Sequence, residues 1–382
     1  MAIGAIALDT ALLGLIAPLL PELEDRVGAS EAELGLALGA YALPILVVSL
    51  PLGRLADRIG RRPLLLGGLL LTVVGSVLIA VAPSLPLLIV GRAVQGVGSA
   101  ASWIAALALV SELAPPGRKG ESIGYALAAN SVGAIAGPAL GGILGDAAGF
   151  PFPFVVVAAI GAAIATAGYF TLPRERRRDE AAASSARELL ALAASGPVLP
   201  ATLIVVGASA ALGLVEVVAP LDADERLGLS ASTIGLIFAA TIALDAIAAP
   251  FAGRASDRYG RRIVALAGLS ATIASMVLLA VLGGTAGLLV GLSVFGVGAS
   301  VTFAAAVPWL DDAFGSVDRG FGYGVLNLIY SVGYTVGPIA AGLALGSSGA
   351  DFAYAMQAAA LVAVALLVAA ARAPERPDAA NL

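Results

Sequence analysis

Four ionisable side chains interrupt otherwise apolar stretches of this chain: Asp9, Arg92, Glu216 and Asp245. A charge at the centre of an apolar membrane helix costs about 2.5–3.5 kcal/mol on insertion scales, so such groups face a cavity or a partner. Histidine and cysteine are both absent. Their absence removes imidazole relays, thiolate chemistry, disulfides and zinc sites of the Cys/His kind. Arginine does not release its proton in a protein. A proton handled inside these stretches therefore rests on a carboxylate, and Asp9, Glu216 and Asp245 are the candidates. Arg92 is expected to hold a carboxylate or backbone carbonyls in place. Other polar or aromatic residues in the same stretches are Tyr41, Gln95, Trp103, Asn130, Trp309, Asn327, Tyr330 and Tyr334. Aromatic faces with a few carboxylates suit amphipathic cations.

The elements that must position these groups follow from composition. Of 382 residues, 59% are hydrophobic and only 12% are charged, against roughly 25% charged in a typical soluble domain. Such a chain is expected to be an all-α, multi-pass membrane protein. A helix needs ~20 apolar residues to cross the hydrocarbon core. Segments of that kind are predicted at 2–20, 33–52, 63–82, 86–108, 121–143 and 151–172. A second set falls at 198–220, 232–252, 263–283, 286–309, 322–345 and 351–371. The first span begins at Ala2 with no basic region before it and no cleavage site after it, so it reads as a retained helix. Asp9 then lies in the first span, roughly 10 Å deep at ~1.5 Å per residue. Glu216 lies in the seventh, nearer its outer end.

The resulting organisation is a six-helix bundle over 1–172, a polar linker over 173–197, a second six-helix bundle over 198–371 and a short tail over 372–382. The linker carries Arg174, Arg176, Arg177, Arg178 and Arg187, with room for a short interfacial helix near 187–192. Orientation follows from lysine and arginine. With both termini cytoplasmic, 18 of the 21 basic residues face the cytoplasm; Arg26 and Arg226 lie outside and Arg92 lies within a span. The opposite topology inverts that ratio. The basic residues are topology anchors, and the net charge of −5 gives no reason to expect a nucleic-acid partner.

The two sets of spans repeat at an offset of 200 residues. Residues 53–62 read GRLADRIGRR and residues 253–262 read GRASDRYGRR. Gly53, Asp57, Arg58, Gly60, Arg61 and Arg62 thus match Gly253, Asp257, Arg258, Gly260, Arg261 and Arg262. Gly91, Gly96, Val97 and Gly98 match Gly291, Gly296, Val297 and Gly298. Gly124, Gly133, Gly137, Pro138 and Gly142 match Gly324, Gly333, Gly337, Pro338 and Gly342. A parallel repeat of six helices, with a site at the midplane between the copies, is the architecture of alternating-access transporters. Both decapeptides are expected in cytoplasmic loops, their glycines permitting a tight turn and their arginines anchoring it. The aspartates are placed to pair with arginine or to face a helix N-terminus, forming a latch. Gly133, Gly137 and Gly141 recur at four-residue spacing, one small face for close helix approach, and Pro138 is expected to bend that helix. These residues are read as gating elements at the interface between halves.

On these motifs the chain resembles the major facilitator superfamily over nearly its whole length. The decapeptide is similar to that superfamily's loop motif G-x-L-A-D-R-x-G-R-[RK], the first copy more closely than the second. Gly124-x8-Gly133-x3-Gly137-Pro138-x2-Gly141-Gly142 resembles the antiporter motif of its exporters. Gly91-Arg92-x-x-Gln95-Gly96-x-Gly98 resembles the arginine motif of the drug/proton antiporter family. Asp9-Thr10 followed by Pro18-x-x-Pro21 is again that family's pattern. A likeness to the vesicular amine transporter branch rests on Arg92 to Ser99, on Glu216 and on Tyr323-Gly324 running to Gly337-Pro338. That branch's helix lysine and two further acids are matched here by Tyr41, Phe303 and Ser331, so the general drug/proton class alone is carried over.

The resemblance implies a monomeric, proton-driven exporter of the plasma membrane. It would move small apolar or cationic compounds, need no cofactor and perform no enzymatic reaction. Protons, a small-molecule substrate and the bilayer are its implied partners. Export of a neutral metabolite such as a sugar or nucleoside is the alternative. A receptor would carry a soluble signalling segment. An intramembrane hydrolase would need a nucleophile with a base or metal, and the sole lysine, Lys119, lies in a predicted loop. ATP-driven transport would need a G-x-x-x-x-G-K-[ST] loop, which the sequence lacks.

Overall fold

The computed structural model describes residues 1–115, 118–173, 195–196, 198–314 and 319–370, with side chains except at 50, 54, 57, 119, 311–314 and 319–325. The predicted linker helix near 187–192, the arginines at 174–187 and the tail lie outside the described residues. So do the side chains of Arg54, Asp57 and Lys119.

The first span is not one straight helix. It runs as α1 (Ala2–Leu15), a 3-10 turn (Ala17–Leu19) and α2 (Leu20–Val27). Pro18 and Pro21 lack the N–H groups that a continuous α-helix would use there, which accounts for the break. Gly28 closes α2 in the left-handed conformation at φ 62°, as glycine commonly does beyond a helix end. The chain then continues through α3 (Glu31–Ile59), α4 (Arg61–Ala80), α5 (Leu85–Glu112), α6 (Lys119–Ala148) and α7 (Pro151–Thr171). The second half repeats this as α8 (Leu199–Leu227), α9 (Ala231–Tyr259), α10 (Arg261–Val281), α11 (Gly284–Phe314), α12 (Arg319–Ser348) and α13 (Ala350–Ala370). With α1 and α2 taken together, twelve spans among the described residues are long and apolar enough to cross a membrane. The molecule is an all-α membrane bundle of two six-helix halves.

Several helices outrun their predicted spans. An apolar window marks what the bilayer covers, whereas backbone hydrogen bonding carries the helix on into water. The decapeptides show this best. They are not loops: α3 continues through Ile59 and α9 through Tyr259, and each chain breaks only at Gly60 and Gly260, both at φ 93°. Those two glycines alone supply the turn. Gly53 and Gly253 are helical, and a side chain there would meet nothing within 4 Å.

Alternation of the helices gathers both decapeptides at one end of the bundle, the arginine-rich end. Arg62 donates to the Tyr169 carbonyl at the end of α7, and Arg262 donates to the Ala369 carbonyl at the end of α13, 2.5 Å away. A cation there complements the negative end of a helix. Arg61 pairs with Glu112 of α5 at 3.5 Å, and Arg261 pairs with Asp257 at 2.5 Å. These four contacts each stay within one half.

The halves meet most closely at the opposite end. Small residues allow it, since helices approach closely where no side chain intervenes. Gly35 of α3 lies against the Pro338 carbonyl of α12, and Gly235 of α9 lies against the Pro138 carbonyl of α6. Gly142 lies against Ala231 and Ser232, and Gly342 against Glu31 and Ala32. Both pairs of approaches obey the 200-residue offset. Within each half, the same prolines nest on the first helix. A side chain at Gly14 would meet the Pro138 ring at 2.9 Å, and one at Gly213 would meet the Pro338 ring at 2.5 Å.

Candidate functional site

The buried polar groups converge between the halves. Asp9 on α1 and Glu216 on α8 are both buried, at 9% and 8% exposure, and Arg92 on α5 is wholly enclosed. Helical spacing puts Arg92, Gln95 and Ser99 on one face of α5, because residues at i, i+3 and i+7 share a face. The Ser99 hydroxyl donates to Asp9 Oδ2 at 2.9 Å. Gln95 Oε1 accepts from Arg92 Nη1 at 3.1 Å, and Gln95 Nε2 donates to the Ser76 hydroxyl of α4 at 3.0 Å. The Arg92 guanidinium lies over the Tyr41 ring of α3, 4.6 Å from its centroid, a favourable cation–π placement in a dry site.

The second half supplies the facing wall. Glu216 accepts a hydrogen bond from the Tyr334 hydroxyl of α12. Tyr334 stacks on Tyr330 at 5.8 Å between centroids, and Tyr330 in turn meets Phe303 of α11 at 6.1 Å. Glu216, Tyr41 and Tyr334 all lie within electrostatic reach of Arg92. Asp245 of α9 is half-buried and within reach of Tyr330, and its backbone carbonyl accepts from Ser300 at 2.8 Å. Arg92 thus lies near the second half's carboxylate, Glu216, without an ion pair to it, and Tyr41 lies within reach of both Arg92 and Asp9. Asp9 Oδ1, Arg92 Nε and Arg92 Nη2 are buried with no hydrogen-bond partner among the described residues. Leaving such groups unpaired costs about 1–3 kcal/mol each, more when charged.

The structure brings together Asp9, Tyr41, Arg92, Gln95, Glu216 and Tyr330 from the sequence candidates, with Asp245 at the edge. Asn130 of α6 accepts from Thr10 at 2.8 Å, next to Asp9 along α1. Asn327 reaches across from α12 to Ser49 of α3 at 3.5 Å. Trp309 goes elsewhere: it is buried in the apolar core of the second half. Ser99 and Tyr334 carry the two carboxylates. Tyr334 was visible only as one of many membrane aromatics. The signal for Ser99 was its place one further turn along the Arg92–Gln95 face.

The glycine face of α6 also has a different neighbour from the one expected. Gly133, Gly137 and Gly141 lie against the carbonyls of Ala7, Ala11 and Leu15 on α1 of the same half. Gly142 and the Pro138 carbonyl are what this helix offers to the other half. A face of period four meets one neighbour, and Gly142, about 100° round the helix from Gly141, meets another.

Two six-helix halves around an enclosed polar site define a transporter-type membrane bundle. The Major Facilitator Superfamily model matches residues 2–221 and again residues 201–382. The chain belongs to that superfamily; the first match covers the first half and runs on into α8, and the second covers the second half. It is 31% identical to the class C tetracycline resistance protein of Escherichia coli, over 73% of this chain and 72% of that protein. It is 37% identical to the MFS-type transporter ppzB of Metarhizium rileyi (strain RCEF 4871), over 40% of this chain but only 32% of that protein. Its fold is that of a bacterial homologue of the human lysosomal transporter Spinster, crystallised in an inward-facing and occupied conformation. The TM-score is 0.80 at 17% identity, covering 97% of this chain and 96% of the other.

Proposed function

We propose that the protein is a proton-coupled exporter of small apolar or cationic compounds, working by alternating access. The arrangement that carries this reading is the pair of buried carboxylates, Asp9 and Glu216, from equivalent helices, with the enclosed Arg92 near Glu216 and Tyr41 near both Arg92 and Asp9. Substrate and proton compete for these carboxylates, so that entry of one releases the other. Asp9 is the proton carrier, because its Oδ1 is free and Ser99 holds its other oxygen. Arg92 keeps the empty site from holding two unbalanced negative charges. The arginine-rich end faces the cytoplasm and the glycine-sealed end faces outward. Residues 1–172 and 198–371 rock against each other about this site, with the membrane of residence being the plasma membrane. The likeness to a tetracycline resistance protein supports export of a drug-sized compound.

The test is purified protein in liposomes under an imposed pH gradient, offered a panel of cationic and neutral compounds. Gradient-driven uptake of at least one cationic compound is expected. Asp9→Asn abolishes it in a folded protein, since the amide keeps the shape and the acceptor for Ser99. Uptake that ignores the gradient for every compound overturns the coupling. Full coupling in Asp9→Asn with loss in Glu216→Gln moves the carrier to the second half. Coupled uptake of neutral compounds alone points to a metabolite exporter.

A further inference from the structure

Of the three mid-span carboxylates, Asp245 is the one the proposed mechanism leaves unused. It sits at the middle of α9 and is half-buried. Among the described residues no arginine or lysine pairs with it, and Ser300 is the polar side chain that reaches it. The electrostatic neighbours of Arg92 are Tyr334, Tyr41 and Glu216. Arg92 therefore offsets the charge of Glu216, and no described cation does the same for Asp245. A carboxylate in a membrane span is costly and marks a substrate or ion pathway.

What surrounds Asp245 is aromatic. The Ser300 hydroxyl donates to the Asp245 carbonyl at 2.8 Å, which ties α11 to α9 at this level. Phe303 lies one turn on from Ser300, on the same face of α11. Its ring meets that of Tyr330 on α12 at 6.1 Å, with 46° between the planes. Tyr330 lies within electrostatic reach of Asp245, of Glu216 and of Tyr41 from the first half, so it fronts the space between the halves. Phe303 and Tyr330 both keep open surface, whereas Tyr334, the ring that donates to Glu216, is buried. The repeat does not supply this grouping twice. At the positions equivalent to Asp245, Ser300, Phe303 and Tyr330 stand Ile45, Ala100, Trp103 and Asn130, one ring and no acid.

We propose that Asp245 is a specificity-determining residue, anchoring the charged centre of an N-alkylated ammonium compound whose alkyl groups lie on the rings of Tyr330 and Phe303. Aromatic faces attract such a cation electrostatically, and a quaternary centre needs no hydrogen-bond acceptor. The inference rests on the reading of the chain as an exporter of cationic compounds. Asp9 remains the proton carrier, and the rest of a drug-sized molecule anchored at Asp245 extends along Tyr330 toward Glu216.

The test measures binding of phenyltrimethylammonium, a permanent cation, and of its neutral isostere tert-butylbenzene to the full-length protein in nanodiscs, with empty nanodiscs subtracted. The unaltered protein should prefer the cation. Asp245→Asn should weaken the cation about tenfold or more, equivalent to about 1.4 kcal/mol, and leave the neutral compound within about twofold. Asp245→Glu, which keeps the charge, should restore most of the cation binding. Phe303→Leu should weaken the cation about threefold, as loss of one cation–π contact does. Absence of any preference for the cation in the unaltered protein overturns the cationic reading of export together with the anchor. A preference that survives intact in Asp245→Asn overturns the anchor alone. Equal loss of both compounds in Asp245→Asn overturns it too, by making the residue structural. Loss of the preference in Glu216→Gln in place of Asp245→Asn moves the anchor to Glu216.

Discussion

The seam between α6 and α9 and the seam between α3 and α12 are related by the 200-residue repeat, yet they are fastened differently. Both use a glycine on a proline carbonyl, Gly235 on Pro138 and Gly35 on Pro338. Among the described residues, only the first adds a side-chain hydrogen bond across the halves at this end. Asp146 Oδ2 accepts from the Ser232 N–H at 2.9 Å, so the end of α6 caps the start of α9. Its repeat mate is Gly346, with no side chain to offer. Both starts are also capped from within, α3 by Ser30 and Glu33 in a capping box and α9 by Ser230, which accepts from the Thr233 N–H. At this end, among the described residues, one seam is therefore closed by packing plus a trans cap and the other by packing, the α3–α12 contact of Asn327 with Ser49 lying further along the helices. Backbone fit sets how closely the ends can meet, and the extra hydrogen bond sets which seam opens less readily.

The largest expected break in this comparison is Gly235→Leu. Its side chain would displace the Pro138 carbonyl, and overpacking of this kind costs about 1–3 kcal/mol, occasionally more. The closed outer end should be lost. Because the chain has no native cysteine, introduced pairs such as Asp146→Cys with Ser232→Cys report closure directly through cross-linking yield. Gly35→Leu should open the other seam as strongly, and equal cross-linking in both variants and the parent refutes the packing account.

A smaller effect is expected from Asp146→Ala. Removal of a helix cap typically costs about 1 kcal/mol, so the closed-to-open ratio should fall about fivefold. Glu31→Ala, at the matching place on the other seam, should shift it much less. Distance measurements between spin labels on the two halves would distinguish them. An equal shift in both variants removes the asymmetry.

Smallest of all should be Arg62→Gln and Arg262→Gln. Each loses a cation at a helix C-terminus, worth about 0.3–1 kcal/mol. Because these arginines bond within their own half, thermal stability should drop slightly while the distance between halves stays the same. A change in that distance would make the last arginine of the decapeptide a contact between halves.

The same comparison shows how the site departs from the repeat. Asp9, Arg92, Glu216 and Asp245 face Ser209, Leu292, Ile16 and Ile45 at the equivalent positions. None of the four is duplicated, so the polar site is asymmetric inside a symmetric frame. Repeated glycines and prolines build the frame, and unrepeated charges mark the place where it acts.

Sequence by itself determined the twelve spans, the repeat, the family and the four charges within the spans. These depend on hydropathy and spacing, which are local, and on the high cost of charge in lipid. Tertiary structure decided which charges meet. The bond from Ser99 to Asp9 joins residues 90 apart, and that from Tyr334 to Glu216 joins residues 118 apart; neither spacing carries a periodic signal. It also decided that the decapeptides end helices, because a helix leaving the bilayer loses its apolar pattern but not its backbone hydrogen bonds. The neighbour of each glycine face was likewise a tertiary matter. A small face states that a helix can approach closely, and only the packed bundle states which helix comes: α1 for Gly137, and α9 of the other half for Gly142.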